Sequence, residues 1–117
     1  MIHIKRAYET SNEEDGYRVL VDRLWPRGIS KEKAKINLWL KEIAPSKELR
    51  QWFNHDPEKF EQFKSSYEEE LVGNTTSLMR LLDVIKREPI VTLVYSAKNE
   101  TINNAVVLKE FIEKNYG

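Results

Sequence analysis

No cysteine occurs among the 117 residues, which excludes disulfide cross-links, thiolate zinc sites and cysteine nucleophiles together. Histidine is almost as scarce, since His3 and His55 are the only two, and two are too few for a histidine-rich metal centre. No metal ligand set and no cofactor is therefore expected. No apolar run approaches the roughly 20 residues that a membrane-spanning helix requires. Met1 to Tyr8 alternates instead of forming the apolar block of a secretion signal, so the cytoplasm is the expected compartment, with no membrane partner. Net charge is missing too: Lys plus Arg and Asp plus Glu number 19 each, and no global field steers the chain toward nucleic acid. The sequence also lacks a phosphate-binding glycine loop, a nucleophile elbow and a metalloprotease helix motif.

What is present describes a folded chain. Apolar residues make up 40% and charged residues 32%, a globular balance rather than a disordered one. The length suits a single domain, 1–117, with one hydrophobic core. Charge is uneven along it: Arg23, Arg27, Lys31, Lys33 and Lys35 face one acid, Glu32, whereas Glu9, Glu13, Glu14 and Asp15 cluster.

Ile2 to Tyr8 alternates like a strand with one covered face, and its expected partner is Val19–Asp22. Between them Glu9–Gly16 ends in Asp15-Gly16, a short turn signal that suggests a hairpin or a mobile acidic loop. Trp25-Pro26-Arg27-Gly28 reads as a turn, after which Ser30 caps a short helix over Lys31–Lys35. Leu38-Trp39-Leu40 reads as a strand or a helical turn, with strand preferred. Ser46 should cap a helix carrying Leu49, Trp52 and Phe53 on one face. His55-Asp56-Pro57 stops it and starts another, with Phe60, Phe63, Tyr67 and Leu71 at helical spacing. Thr75 or Thr76 caps the next, bearing Leu78, Leu81, Leu82 and Ile85. After Pro89, the β-branched run Ile90–Tyr95 reads as a central strand covered on both faces. A last helix spans about Ile102 to Asn115. This order implies a three-layer α/β/α sandwich with a mostly parallel sheet of about four strands.

Two strand endings carry the polar groups, and α/β sheets keep ligands at such endings. The first holds Asp22, Arg23, Trp25 and Arg27. Converging guanidinium forks there would cradle a phosphate or carboxylate; the competing reading is an Asp22–arginine ion pair with Trp25 stacked on a guanidinium. The second holds Tyr95, Ser96, Lys98 and, at the next helix, Asn104. His55 is the one neutral-pH general base on offer, and Tyr95 and His55 are the candidate acid/base groups. Taken singly, Ser96, Asn99 and Thr101 are also ordinary loop and capping residues.

The run Val21-Asp22-Arg23-Leu24-Trp25-Pro26-Arg27-Gly28 is followed by Trp39, Lys41-Glu42, Ala44-Pro45-Ser46, Leu49-Arg50, Trp52-Phe53 and His55-Asp56-Pro57. Leu93-Val94-Tyr95-Ser96-Ala97-Lys98 and Asn103-Asn104-Ala105-Val106-Val107-Leu108 close the chain. Together these motifs resemble the domain of unknown function 488 family, in its short YeaO-like branch, over nearly the whole length. The resemblance implies a Rossmann-like α/β fold and supplies no reaction. Longer members of the family carry an Asp-Val-Arg motif where Asp22-Arg23 stands, and a Cys-x-Glu and a Cys-His-Arg near Tyr95–Asn104. Those cysteines and that histidine are missing here, so a thiol-dependent mechanism does not transfer. What transfers is an arginine-bearing site at Asp22, Arg23 and Arg27.

Two functions are compatible with these features. One is binding of an anionic small molecule, nucleotide- or nucleoside-like, with hydrolysis or group transfer as its extension. The other is a non-catalytic module that contacts protein or nucleic acid through the basic 23–35 stretch, where zero net charge counts against nucleic acid. Geometry separates them: the first requires both strand endings to border one concave pocket.

Overall fold

A run of five consecutive residues with large or β-branched side chains, Val91–Tyr95, forms a strand buried at every position. The computed structural model describes residues 1–117 and places this strand, β4, inside a four-stranded sheet of order β1-β4-β2-β3. β1 is Ile2–Arg6, β2 Tyr17–Leu20 and β3 Leu38–Trp39, and all pairings are parallel. Strand alternation divides the core. Val19, Val21, Val91, Leu93 and Tyr95 face one side, where they meet Phe63, Tyr67, Leu81, Leu108 and Phe111. Leu20, Val94 and Ala7 face the other, under Trp25, Ile29, Ile36 and Trp39.

Five α-helices complete the fold: α1 Lys31–Ala34, α2 Lys47–Phe53, α3 Phe60–Gly73, α4 Thr75–Arg87 and α5 Asn104–Tyr116. The layers are unequal. α2 to α5 supply the thick layer, and the single turn of α1 with its flanking loops covers the second face. The chain is a single-domain α/β sandwich. No helix is long and apolar enough to cross a membrane.

Several local readings follow from capping chemistry. Ser30 Oγ accepts the Lys33 N–H at 3.2 Å, Ser46 Oγ the Leu49 N–H at 3.2 Å, and Asp56 the Glu58 N–H at 3.0 Å. Each satisfies a donor left free at a helix start. The Thr75 or Thr76 cap does not form. Asn74 occupies the cap position, and its amide donates to the Glu42 carbonyl at 2.7 Å instead. α5 likewise starts later than expected, because Asn103 caps it through the Val106 N–H. Trp52, expected on a buried face, is exposed, with the Lys59 ammonium 5.0 Å above its ring.

The expected pairing of the first two strands is incorrect. β1 and β2 lie on opposite edges of β4, with Ile2 and Tyr17 both registered on Val91. Alternation marks a strand without naming its neighbour, and the Asp15-Gly16 pair does not make a hairpin. Asn12 caps a one-turn 3-10 helix, Glu13–Asp15, and this turn is fixed under the sheet. Asp15 is buried, paired with Arg18 at 2.7 Å and Lys5 at 3.1 Å. Its carbonyl accepts the Thr92 hydroxyl at 2.6 Å. Gly16 sits at φ +63°, and a Cβ there would come within 2.4 Å of the Ile90 carbonyl oxygen, so only glycine passes.

Burial on its own pushes the Asp15 carboxyl up. The Asn12 N–H, the Lys5 ammonium and the Arg18 guanidinium outweigh it and hold the group below its ordinary 3.8. Its stabilising contribution is therefore complete above that value and is lost as pH falls through the lower folded value. Asp15→Asn should destabilise by about 3 to 5 kcal/mol, since it leaves Arg18 buried without its counter-charge. It should also flatten the acid limb of the stability curve. Urea unfolding from pH 7 to pH 2 measures both, and a wild-type acid limb in the variant would contradict the assignment.

Candidate functional site

β2 and β4 are neighbours whose chains leave in opposite directions. After β2 the chain turns onto the Leu20–Val94 face, whereas after β4 it enters α5 on the Val19–Leu93 face. Such a divergence opens a crevice at the carboxyl ends of the strands.

Asp22 ties the crevice together. One carboxylate oxygen accepts the Ser96 N–H at 2.9 Å and the Ser96 hydroxyl at 2.6 Å. The other accepts the Asn104 amide at 3.1 Å, which also reaches the Val21 carbonyl at 3.1 Å. The Asp22 carbonyl accepts the Trp39 indole N–H at 2.8 Å. All of its partners are neutral donors. The competing Asp22–arginine ion pair is not formed.

The crevice opens into a cleft of about 460 Å³ bordered by Asp22, Arg23, Arg27, Arg50, His55 and Ser96, among others. None of the three arginines takes part in an ion pair. The Arg23 terminal nitrogen donates to the Ala44 carbonyl at 3.2 Å, but its Nε is buried without a partner, and so is that of Arg50. Buried donors of this kind are uncommon and costly. The wall behind Arg23 is fixed from below. Tyr67 donates to the Ile43 carbonyl at 2.7 Å, and burial, then the Asp22 and Glu70 carboxylates, push its phenol far above the ordinary range against the pull of Arg23. It stays a neutral donor.

The backbone around Arg50 is set by Glu70, whose two oxygens accept the Ser46 N–H at 2.8 Å and the Ser46 hydroxyl at 2.6 Å. Ser46 in turn caps α2. Ala44 and Pro45 are buried beside it and, with Phe53 and Phe63, give the cleft its apolar wall.

Asp22, Arg23, Trp25, Arg27, His55, Ser96 and Asn104 all border this one cleft. Trp25 does not stack on a guanidinium. Its ring meets Trp39 edge-on at 5.6 Å, and its indole donates to the Ile29 carbonyl at 2.7 Å. His55 lies at the exposed margin, in a left-handed conformation (φ +57°) directly after left-handed Asn54, and Asp56 is engaged as a cap rather than by the imidazole. Tyr95 and Lys98 lie outside the cleft. Tyr95 is buried in the core; burial, then Glu100 and Glu9, raise its phenol against Arg6 and Asn103. Lys98 is exposed. Sequence reasoning missed Arg50 and Tyr8, whose hydroxyl donates to the Arg27 carbonyl at 3.0 Å at the mouth. Arg50 sits one turn after the Ser46 cap and one turn before Asn54, the helix edge facing the strand ends. No group of three or more histidine and carboxylate side chains assembles.

Fold and cleft together define a small parallel α/β protein with a cationic crevice at its strand ends. The chain belongs to the DUF488 family: the profile described as "Inactive DUF488-N3 subclade" matches residues 1–117. It is 45% identical to "Uncharacterized protein YeaO" of Escherichia coli strain K12, over 95% of this chain and 96% of that protein. It is 40% identical to "Uncharacterized protein Rv3073c" of Mycobacterium tuberculosis H37Rv and to "Uncharacterized protein Mb3100c" of Mycobacterium bovis, over 95% of this chain and 92% of each. No solved structure matches.

Asp22→Ala removes the acceptor for Ser96 and Asn104 together, and hydrogen bonds to a charged group are each worth about 1.5 to 3 kcal/mol. The variant should lose at least about 2 kcal/mol in urea unfolding, and Ser96→Ala less. Equal small losses would show that Asp22 does not join the strand ends.

Proposed function

We propose that this protein binds an anionic small molecule, nucleotide- or nucleoside-like, in the arginine-bordered cleft. The observation that carries the reading is the set of Arg23, Arg27 and Arg50 in one concavity with no carboxylate partner. Guanidinium groups that outnumber the one carboxylate beside them, Asp22, repel one another, and an anion relieves that repulsion while filling the free donors. The volume lies in the range of small-molecule sites. Location at the divergence of β2 and β4 agrees with where parallel sheets keep ligands.

We read the protein as a binder rather than a catalyst. The Ser96 hydroxyl is held by the Asp22 carboxylate, whose oxygens also accept the Ser96 N–H and the Asn104 amide, and no imidazole is hydrogen-bonded to it, an arrangement that fits a structural hydroxyl better than an activated nucleophile. The description of its subclade as inactive points the same way.

A thermal-shift panel of nucleotides, sugar phosphates and carboxylates tests the reading. A ligand at a hundredfold excess over its Kd should stabilise the wild type by about 2.7 kcal/mol. Arg27 is exposed, so Arg27→Ala should keep the apo melting temperature and lose a measurable part of that stabilisation. No shift with any anion would refute the reading.

A further inference from the structure

We propose that the group selected by this cleft is the terminal phosphate of a phosphomonoester, taken as the dianion between Arg23 and Arg50. The proposal rests on the anion-binding reading and narrows it to one charge type.

Charge comes first. The arginines Arg23, Arg27 and Arg50 face a single carboxylate, Asp22, across the cleft, a formal surplus of two. A carboxylate, a sulfate ester or a phosphodiester brings one negative charge and leaves a guanidinium uncompensated. A phosphomonoester above its second pKa brings close to two.

Donor geometry selects in the same direction. The two guanidiniums belong to separate elements, Arg23 after β2 and Arg50 on α2. A planar carboxylate offers two oxygens suited to one fork, whereas a terminal phosphate offers three that accept from separate directions. Because Arg23 already donates one terminal nitrogen to Ala44 and both Nε atoms are buried, the remaining terminal nitrogens are the donors left for a ligand. Arg23 and Arg50 are half-buried while Arg27 is exposed, so the phosphate belongs at the inner end and Arg27 toward the mouth.

Size then requires more than a bare ion. About 460 Å³ exceeds what a free phosphate fills, and the mouth carries Leu24 and Tyr8, 65% and 47% exposed. An aromatic or otherwise apolar body on the phosphate would cover both.

Isothermal titration of the intact wild-type protein with phenyl phosphate, phenyl sulfate, benzoate, adenosine 5′-monophosphate and its 3′,5′-cyclic diester decides the question. At pH 7.5 the two monoesters should bind at least about tenfold more tightly than the singly charged compounds. Between pH 7.5 and pH 5.0 the phosphate second proton returns, with pKa about 6, and the dianion falls to about a tenth. The advantage of phenyl phosphate over phenyl sulfate should shrink about tenfold with it. The groups facing the ligand are Asp22, the three arginines, His55 and Tyr8. The loss is read as a ratio between phenyl phosphate and phenyl sulfate, so a change in the protein's own charge acts on both compounds and does not produce it. Arg50→Lys, which keeps a charge but removes the guanidinium fork, should erase most of the monoester advantage in protein that melts as the wild type does. Equal affinity for phosphate and sulfate esters, or an unchanged ratio in Arg50→Lys, would overturn the phosphate assignment while leaving an anion site in place. Failure of every compound to bind would overturn both.

Discussion

The hydrogen bonds from Ser96 and Asn104 to the Asp22 carboxylate hold together chain segments that are more than seventy residues apart in sequence. β2 and β4 are parallel, and their continuations leave toward opposite faces of the sheet. Nothing in the strand ladder itself fixes those continuations beyond Val21, whose N–H makes the last bond to Val94. Asp22 supplies the fixing. Because it is satisfied by neutral donors, its charge does not neutralise the arginines beside it through direct pairing. One side chain thus shapes the cleft and leaves its cationic character in place.

The two sheet faces handle charge differently. Under the thin layer, Arg18 and Lys5 are ion-paired with Asp15, although one terminal nitrogen of Arg18 is itself buried without a partner. On the cleft side, Arg23 and Arg50 also have buried nitrogens with nothing to donate to, and in addition no carboxylate pairs with them. A fold gains no stability from donors left in that condition. Supporting contacts nonetheless surround them: Tyr67 on Ile43, Glu70 on Ser46, and Asn74 on Glu42. The scaffold around the arginines is firmly built, and the arginines are the unsatisfied part of it. The difference between the faces is one of ion pairing, Arg18 being matched by Asp15 and the cleft arginines by no carboxylate, and the proposed anion would answer it.

Much of this was legible in the sequence, and the parts that were not share a cause. The central strand declared itself through an unbroken β-branched run, the helices through the spacing of Phe63, Tyr67 and Leu71, and several helix starts through Ser30, Ser46 and Asp56. These are local signals, read within a few residues. Strand order is not local. Consecutive order and the intervening turn signal pair β1 with β2, yet β4, from the far end of the chain, lies between them. Asp15 looked like one more residue of an acidic surface cluster, since burial against Arg18 and Lys5 leaves no mark in composition. Asp22, Arg23, Arg27, His55 and Ser96 could be named because each follows a strand or stops a helix. Arg50 could not, because it lies within a helix read only for its apolar face. Trp52, read as part of that face, turned outward.

Direct observation of the Nε–H groups of the arginines by nitrogen-15 NMR tests the central claim most closely. On adding phenyl phosphate, the Nε–H signals of Arg23 and Arg50 should move together and saturate with one Kd. That of Arg18, already donated to the Ala34 carbonyl at 2.9 Å, should stay where it is. Saturable binding with the Arg23 and Arg50 signals unmoved would place the ligand elsewhere and contradict the account.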